Sequence, residues 1–263
     1  MLRISLVQMR CEKGDIRKNL ETITYYLDKA KQRNCDFVAF PEMSLTGYAD
    51  PTRFPHAIVN LDGPEVQMLV NQSQEYRAAI LAGIIEANPL GKPFITQVVI
   101  HQGKMIGFYR KISILDEETE WFSPGKDVFT FHHKGLSCGI AICADISNEK
   151  VWESCKQSGA DFVFELAAPG LYGEQATRNW QKGYQWWEGE CQEYLSKYSK
   201  KYGLWIGVAT QAGRTIDEDF PGGGYLFSPS GDRELATQDH LPGALYIELD
   251  TVTQQVRKLW QSI

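Results

Sequence analysis

The chain has 263 residues, with 27 Lys and Arg against 33 Asp and Glu, and 43% of its residues are apolar. A chain of this length buries enough apolar surface to fold without disulfides or metal ions. The formal net charge of −6 argues against nucleic acid as a partner, since phosphate backbones are bound by clustered positive charge. The longest apolar runs fall well short of the roughly 18 residues that a membrane span requires, so no membrane segment is expected.

The opening residues predict a first strand rather than a signal peptide, because Met1–Gln8 contains no long apolar region and no small-residue cleavage site. The six cysteines are spread along the chain without a C-x-x-C pair. Without an export signal this pattern indicates free thiols. The expected location is therefore cytoplasmic.

Strands and helices alternate in the first third of the chain. Apolar side chains recur at helical spacing behind Asp15, a predicted N-cap: Ile16, Leu20, Ile23, Leu27 and Ala30. A short strand at 36–40 is then stopped by Pro41, which cannot donate to a sheet. A helix over 64–76 and a buried strand over 79–85 complete a β-α-β-α-β order.

Two hairpins are predicted in the middle, because Gln102-Gly103 and Lys134-Gly135 each separate two strand-like runs. The runs are 94–101 with 104–111 and 128–132 with 136–142. Later elements are a helix over 147–157, a strand over 161–166, a helix from about 186 to 202 and a strand over 204–210. No linker or repeat divides residues 1–263, which predicts one domain, a layered α/β sandwich with helices outside two facing sheets.

Three polar residues, Glu42, Lys111 and Cys143, each follow directly on a predicted strand. Residues at several strand ends can converge on one site in an α/β protein. Cys143 alone would be interpreted as a packing residue, because free cysteine is among the most buried residue types. The grouping of the three is therefore a hypothesis about a catalytic site.

Four segments resemble, in the same order, motifs of the nitrilase or carbon-nitrogen hydrolase superfamily. They are Phe40-Pro41-Glu42, Tyr109-Arg110-Lys111 with Leu115, Gly139 to Asp145 around Cys143, and Gly222-Gly223-Gly224 with Ser228-Pro229-Ser230-Gly231. The resemblance runs over nearly the whole chain. It implies a four-layer αββα sandwich, a Glu-Lys-Cys triad without metal or cofactor, and a homodimer or higher homo-oligomer.

The implied roles make chemical sense for these residue types. Glu42 would take the proton of Cys143 and later deliver it to the leaving nitrogen. Lys111 and the backbone N–H of Ala144 would stabilise the oxyanion of the tetrahedral intermediate. Because Ala144 stands where the family often has an aromatic residue, a larger pocket is expected.

The resemblance also implies a second glutamate for hydrolysis of the resulting thioester. Glu118 is the matching position, and Glu117 and Glu120 are its competitors. Without the family pattern, each of the three would be interpreted as a solvated loop carboxylate.

Aromatic residues are dense between 172 and 187, including Tyr172, Trp180, Trp186 and Trp187. They could form a substrate-pocket wall, for which Tyr172 and Trp180 are the candidates, or a core or dimer interface. For Trp186 and Trp187 we favour the structural interpretation.

Glu165 interrupts an apolar strand, and a buried carboxylate needs a partner. A cationic substrate group or Arg178 could be that partner, which makes both residues substrate-binding candidates.

A zinc site or a Cys-His dyad built from His132, His133, Cys138 and Cys143 is a weaker alternative. Adjacent histidines in a strand point to opposite faces, and no metal-type spacing is present. No metal ion is expected.

The leading hypothesis is a cofactor-free amidase that converts a small-molecule amide to a carboxylic acid and ammonia. A nitrilase and an N-carbamoyl hydrolase are enzymatic alternatives with the same triad. A catalytically silent homologue that binds a partner through its aromatic cluster is the alternative from another class.

Overall fold

A computed structural model describes residues 1–262 of the chain. The strands are β1 (Leu2–Gln8), β2 (Phe37–Ala39), β3 (Ile58–Val59), β4 (Ala79–Glu86), β5 (Phe94–His101), β6 (Lys104–Arg110), β7 (Thr130–His133), β8 (Leu136–Ile142), β9 (Phe162–Ala167), β10 (Trp205–Thr210), β11 (Ala212–Arg214), β12 (Asp219–Pro221), β13 (Gly224–Phe227), β14 (Arg233–Ala236), β15 (Gly243–Asp250) and β16 (Gln255–Ser262). The α-helices are α1 (Ile16–Gln32), α2 (Pro64–Gln72), α3 (Glu118–Trp121), α4 (Glu149–Gln157) and α5 (Trp180–Tyr202). Short 3₁₀ turns cover Pro55–Ala57, Ser73–Glu75, Cys143–Ser147 and Gln175–Thr177.

Two mixed sheets form the centre of the fold. The first has the strand order β16-β15-β1-β2-β4-β5-β6, with β3 added beside β4, and the second has the order β14-β13-β10-β9-β8-β7. Strands β1, β2 and β4 are parallel, as are β8, β9 and β10, whereas the strands toward the edges are antiparallel. The strands β11 and β12 pair separately.

The two sheets face each other across an apolar layer to which both contribute, as where the Phe37 ring lies 5.8 Å from the Phe164 ring. The helices α1 and α2 cover the outer face of the first sheet, and α4 and α5 cover the outer face of the second. The result is the predicted αββα sandwich. Among the described residues, none of the helices is long and apolar enough to cross a bilayer.

Local signals in the sequence account for several element ends. The Asp15 carboxylate caps α1 by accepting from the Lys18 N–H at 3.0 Å, as predicted. The residues of the two hairpin turns have positive φ, 46° and 76° at Gln102-Gly103 and 52° and 77° at Lys134-Gly135. Two consecutive positive φ angles define the twist-matched turn that joins strands through two residues.

Some predicted boundaries were wrong. The last long helix begins at Trp180 rather than near residue 186, because the Asn179 side chain accepts from the Lys182 N–H at 3.0 Å and caps it there. The predicted helix over 147–157 is divided at Asn148, whose backbone is extended and whose side chain caps α4. The predicted helix over 64–76 ends at residue 72, and the strand predicted over 128–132 covers 130–133.

Candidate active site

Strand direction brings the candidate catalytic residues to one edge of the sandwich. The strand β2 is parallel to β4, and two antiparallel steps through β5 return β6 to the same direction. The residues that follow β2 and β6, Glu42 and Lys111, therefore emerge at the same edge of the first sheet. Cys143 follows β8 of the facing sheet, and together with Lys111 it lines one cavity.

Lys111 is the centre of a buried charge cluster. Its Nζ donates to Glu42 Oε1 at 2.8 Å and to the two carboxylate oxygens of Glu118 at 2.7 and 2.9 Å. Lys111 is 1% exposed, Glu42 0% and Glu118 8%. Two carboxylates thus share one ammonium in the protein interior, where an unpaired charge would destabilise the fold. Of the three acidic candidates in this loop, only Glu118 reaches Lys111, while Glu117 and Glu120 are exposed.

A backbone N–H and a tightly packed loop hold the Glu42 carboxylate in place. Glu42 Oε2 accepts from the backbone N–H of Ala168 at 3.0 Å. The loop passes so close to β4 that a Cβ added at Gly83 would lie 2.2 Å from the Met43 nitrogen. Glycine is therefore required at position 83 for the loop to hold Glu42 where it does.

Cys143 occupies a constrained turn between β8 and the following 3₁₀ segment. Its φ is +46°, a left-handed conformation that is uncommon for a non-glycine residue outside tight turns. The Asp145 carboxylate holds the turn by accepting from the Ile142 N–H at 3.0 Å, the Ser113 N–H at 2.8 Å and the Tyr109 hydroxyl at 2.7 Å. Ala144 lies in the first turn of the 3₁₀ segment, where backbone N–H groups have no partner within the helix.

The electrostatics of the cluster suit a base beside a neutral thiol. Burial raises the pKa of Glu42 to about 7, with Lys111 acting against the rise and Glu118 adding to it. Burial and then Glu42 raise the pKa of the Cys143 thiol well above its usual value, although Lys111 lowers it. Burial alone would lower the pKa of Lys111, but Glu42 and Glu118 hold it well above its usual value. At neutral pH the thiol therefore keeps its proton until a base removes it.

The cluster opens into a cavity of about 800 Å³. Cys143, Ala144 and Lys111 form part of its wall, together with Tyr48, whose hydroxyl donates to Glu118 Oε1 at 2.9 Å. Cys143 is half-buried, whereas the other five cysteines are buried. Sequence reasoning missed Tyr48 and the Ala168 backbone, because neither contact leaves a pattern of charge or spacing.

The aromatic candidates lie in different environments. Tyr172 and Trp186 line the cavity. Trp187 is buried in the core and donates its Nε1–H to Thr210 Oγ1 at 2.8 Å, so the structural interpretation holds for Trp187. For Trp186, which is not part of the core, an interface stays a prediction. Trp180 stacks on His240 with 5.5 Å between ring centroids and does not line the cavity.

Arg178, one of the two partners considered for Glu165, binds elsewhere. Arg178 Nε donates to Asp219 Oδ2 at 3.0 Å, and the guanidinium also donates to nearby backbone carbonyls. Both residues lie outside the wall of the cavity. Glu165 pairs in register with Ala141 of β8 and is 0% exposed.

Within residues 1–262 the two carboxyl oxygens of Glu165 have no hydrogen-bond partner. Burial, with Asp145 and Glu42 nearby, raises its pKa well above the usual value. The environment of the carboxyl group therefore favours its protonated, neutral form.

The alternative metal and dyad interpretations gain no support. His132 and His133 pair with Ser137 and Leu136 at the start of β8, whereas Cys143 follows its other end. In the part of the chain that the structure describes, no three His, Cys, Asp or Glu side chains are grouped so that they could hold a metal ion.

Comparison with known proteins extends these observations. A glutamine-dependent NAD(+) synthetase from Acinetobacter baylyi is 23% identical over 98% of this chain, which covers 46% of that protein. A formamidase from Pseudomonas syringae is 31% identical over 53% of this chain and 42% of its own length. The chain thus spans about half the length of these relatives.

A solved structure shares the fold. It is a variant of an amidase from Nesterenkonia sp. AN1 with an acetamide moiety added covalently at its active-site cysteine, and it has a TM-score of 0.80 at 18% identity over 94% of this chain and 90% of that one. The family model for carbon-nitrogen hydrolases matches residues 3–258. Sequence and fold together assign the chain to the carbon-nitrogen hydrolase family.

Proposed function

We propose that this protein hydrolyses a small-molecule amide to a carboxylic acid and ammonia through a thioester on Cys143. The observation that carries the proposal is the half-buried thiol in a cavity beside an ammonium that two carboxylates hold. One of those carboxylates has a pKa near 7, which suits a general base at neutral pH. The formamidase and the acetamide-modified amidase among the similar proteins support an amide as the substrate.

In the first half of the reaction, Glu42 takes the thiol proton as the sulfur of Cys143 attacks the amide carbon. The electron pair of the C=O bond moves to oxygen, and Lys111 Nζ and the Ala144 N–H stabilise the oxyanion. Donors of this kind typically contribute about 3–4 kcal/mol each to lowering the barrier. Protonated Glu42 then gives its proton to the nitrogen, the C–N bond breaks, and ammonia leaves a thioester behind.

In the second half, water attacks the thioester carbon and gives a proton to Glu42. Collapse of the second tetrahedral intermediate breaks the C–S bond, and the thiolate takes the proton back from Glu42. Glu118 holds Lys111 between two carboxylates, and its contact with Tyr48 fixes its own position. We assign Glu118 the role of orienting Lys111 and the attacking water.

The test is ammonia release from a panel of amides, nitriles and N-carbamoyl compounds. The panel compares the wild type with Cys143→Ala and, as a matched control, with Cys191→Ala, which removes a fully buried thiol. We expect turnover of amides by the wild type and the control, and none by Cys143→Ala. Turnover by Cys143→Ala, or preference for nitriles or carbamoyl compounds, would contradict the proposal.

A second candidate is an amide-hydrolysing unit that supplies ammonia to another domain or protein. Its support is that nearly the whole chain matches less than half of a glutamine-dependent NAD(+) synthetase. Glutamine in the substrate panel separates the two candidates. A kcat/KM for glutamine that exceeds that of every simple amide would favour the second.

A further inference from the structure

The wall of the catalytic cavity carries an excess of negative charge. Three cationic side chains face six acidic ones. The cations are already neutralised by neighbours. Lys13 Nζ lies 2.6 Å from Asp217 and 2.9 Å from Glu218, and Arg53 lies 2.7 Å from Asp217. Since Lys111 is engaged by Glu118 and Glu42, the cavity offers no free cation to an anionic substrate within the described residues.

Apart from Asp50, whose carboxylate accepts from the N–H and the hydroxyl of Thr52, the acidic side chains of the wall that lack an ion pair in the described residues lie on the segment that leads into α3. Asp116 and Glu117 line the cavity and are exposed. Within residues 1–262 neither of them forms an ion pair. They directly precede Glu118, so they lie at the same side of the cavity as the catalytic cluster.

Aromatic side chains of the same cavity add a second, independent observation. Tyr172 is 85% exposed and Trp186 is 40% exposed, and both line the cavity. Within the described residues, neither ring has a Lys or Arg over its face. The face of an aromatic ring attracts an organic cation, and attraction is strongest where carboxylates are also near.

We infer that the amide substrate carries an organic cation, such as a primary or substituted ammonium group, which Asp116, Glu117 and the Tyr172 and Trp186 rings receive at the mouth of the cavity. This inference rests on the proposed function and adds the class of substrate. A neutral amide of the same length would lose this attraction, and an amide with a carboxylate at that position would be repelled.

The experiment uses three primary amides with the same spacer of three methylene groups: 4-aminobutanamide, pentanamide and 5-amino-5-oxopentanoate. They place an ammonium, a methyl and a carboxylate group at the end away from the amide. We expect kcat/KM to fall in that order, by about threefold to tenfold at each step at low ionic strength. Added salt should reduce the differences, because exposed charges are screened.

Two sets of variants test which residues cause the preference for the ammonium amide. The double change Asp116→Asn with Glu117→Gln should reduce the ratio between the ammonium and the neutral amide several-fold, and Trp186→Leu should reduce it further. Glu120→Gln is the matched control, because Glu120 is an exposed acid of the same segment that does not line the cavity. It should leave the ratio unchanged.

Failure of the inference is distinct from failure of the proposed function. If the enzyme releases ammonia from acetamide but shows no preference for the ammonium amide, the inference is overturned and the amidase proposal stands. An ammonium preference that the double variant keeps would also overturn it. If neither acetamide nor any of the three longer amides is hydrolysed, the proposed function itself is wrong.

Discussion

In the proposed mechanism, Glu42 is the residue on which the rate at neutral pH depends most. Its carboxylate is needed to take the thiol proton, because burial keeps Cys143 protonated. With a pKa of about 7, Glu42 is only partly ionised at neutral pH. Burial is the main cause of this raised pKa, Lys111 acts against it, and the carboxylate of Glu118 adds to it.

The pH dependence of kcat/KM should therefore rise through a midpoint near pH 7, because the active form of Glu42 is the deprotonated one. Glu118→Gln should lower the overall rate and also move the midpoint to lower pH, since it removes the negative charge that raises the pKa of Glu42. Ammonia release between pH 5 and pH 9 measures both. A midpoint that stays in place in Glu118→Gln would show that Glu42 is not the titrating base.

A second prediction concerns the buried carboxyl group of Glu165. A neutral carboxyl group has nearly the same shape as the amide group of glutamine, so Glu165→Gln removes the titrating proton with little change in shape. The raised pKa of Glu165 means that the folded protein keeps a proton that the unfolded chain releases above about pH 4. Glu165 therefore makes the wild type lose stability as pH rises above that value, and Glu165→Gln lacks this contribution. The stability advantage of the variant should grow from pH 4 to pH 8, while its kcat/KM midpoint stays unchanged.

Urea unfolding of both proteins at several pH values measures this difference. If Glu165 were ionised in the folded state, the variant would gain no stability with pH. Its midpoint for kcat/KM would also shift, since a charge close to Glu42 would have been removed.

At the scale of elements, the close contact between β4 and the loop after β2 holds Glu42, the proposed base, in position. The Cβ of an alanine at position 83 would collide with backbone atoms of Met43 and Glu42, at 2.2 and 2.9 Å. The backbone of the loop must therefore move, and small displacements of a catalytic group are costly.

Gly83→Ala should lower kcat/KM at least about tenfold and destabilise the fold by about 1–3 kcal/mol. The matched control is Gly189→Ala in the middle of α5, where an added Cβ meets nothing within 4 Å. That change should leave kcat/KM unchanged and stabilise the fold by about 0.5–1 kcal/mol. Steady-state kinetics and urea unfolding measure both variants, and wild-type kinetics in Gly83→Ala would contradict the argument.

Element ends were predictable where a local signal marks them. Pro41, Asp15 and the two glycine-containing turns acted as expected, because each effect involves only neighbouring backbone. The start of α5 was missed, since the Asn179 cap precedes a run whose helical pattern is weak. Arg178 was considered as one of two possible partners of Glu165, because a buried carboxylate needs a partner. Their real environments depend on Asp219 and on the face of β9, which are set by tertiary packing.

At the scale of the whole molecule, the facing sheets bring together residues that are far apart in the chain. The resemblance of four motifs to those of one superfamily implied the αββα sandwich and the meeting of Glu42, Lys111 and Cys143. The contacts of Tyr48 and the Ala168 N–H were not predictable, because they follow from how the loops pack at the edge of the two sheets.

The layer between the sheets should dominate the stability of the fold. The Phe164 ring is 0% exposed and packs 4.6 Å from Phe162 and 5.8 Å from Phe37 of the opposite sheet. Phe164→Ala should lower the free energy of unfolding by about 3–5 kcal/mol, since it leaves a cavity in that layer. Phe164→Leu should cost clearly less. Equal effects of the two changes in urea unfolding would mean that the layer adapts to the loss of the ring.

The thioester on Cys143 is the central claim, and mass spectrometry of the acid-quenched enzyme tests it. During turnover of a small amide we expect an adduct with the mass of the acyl group, which digestion assigns to the peptide containing Cys143 and which hydroxylamine removes. Cys143→Ala should release no ammonia and carry no adduct. Ammonia release without any acyl adduct on Cys143, or an adduct on another residue, would contradict the account.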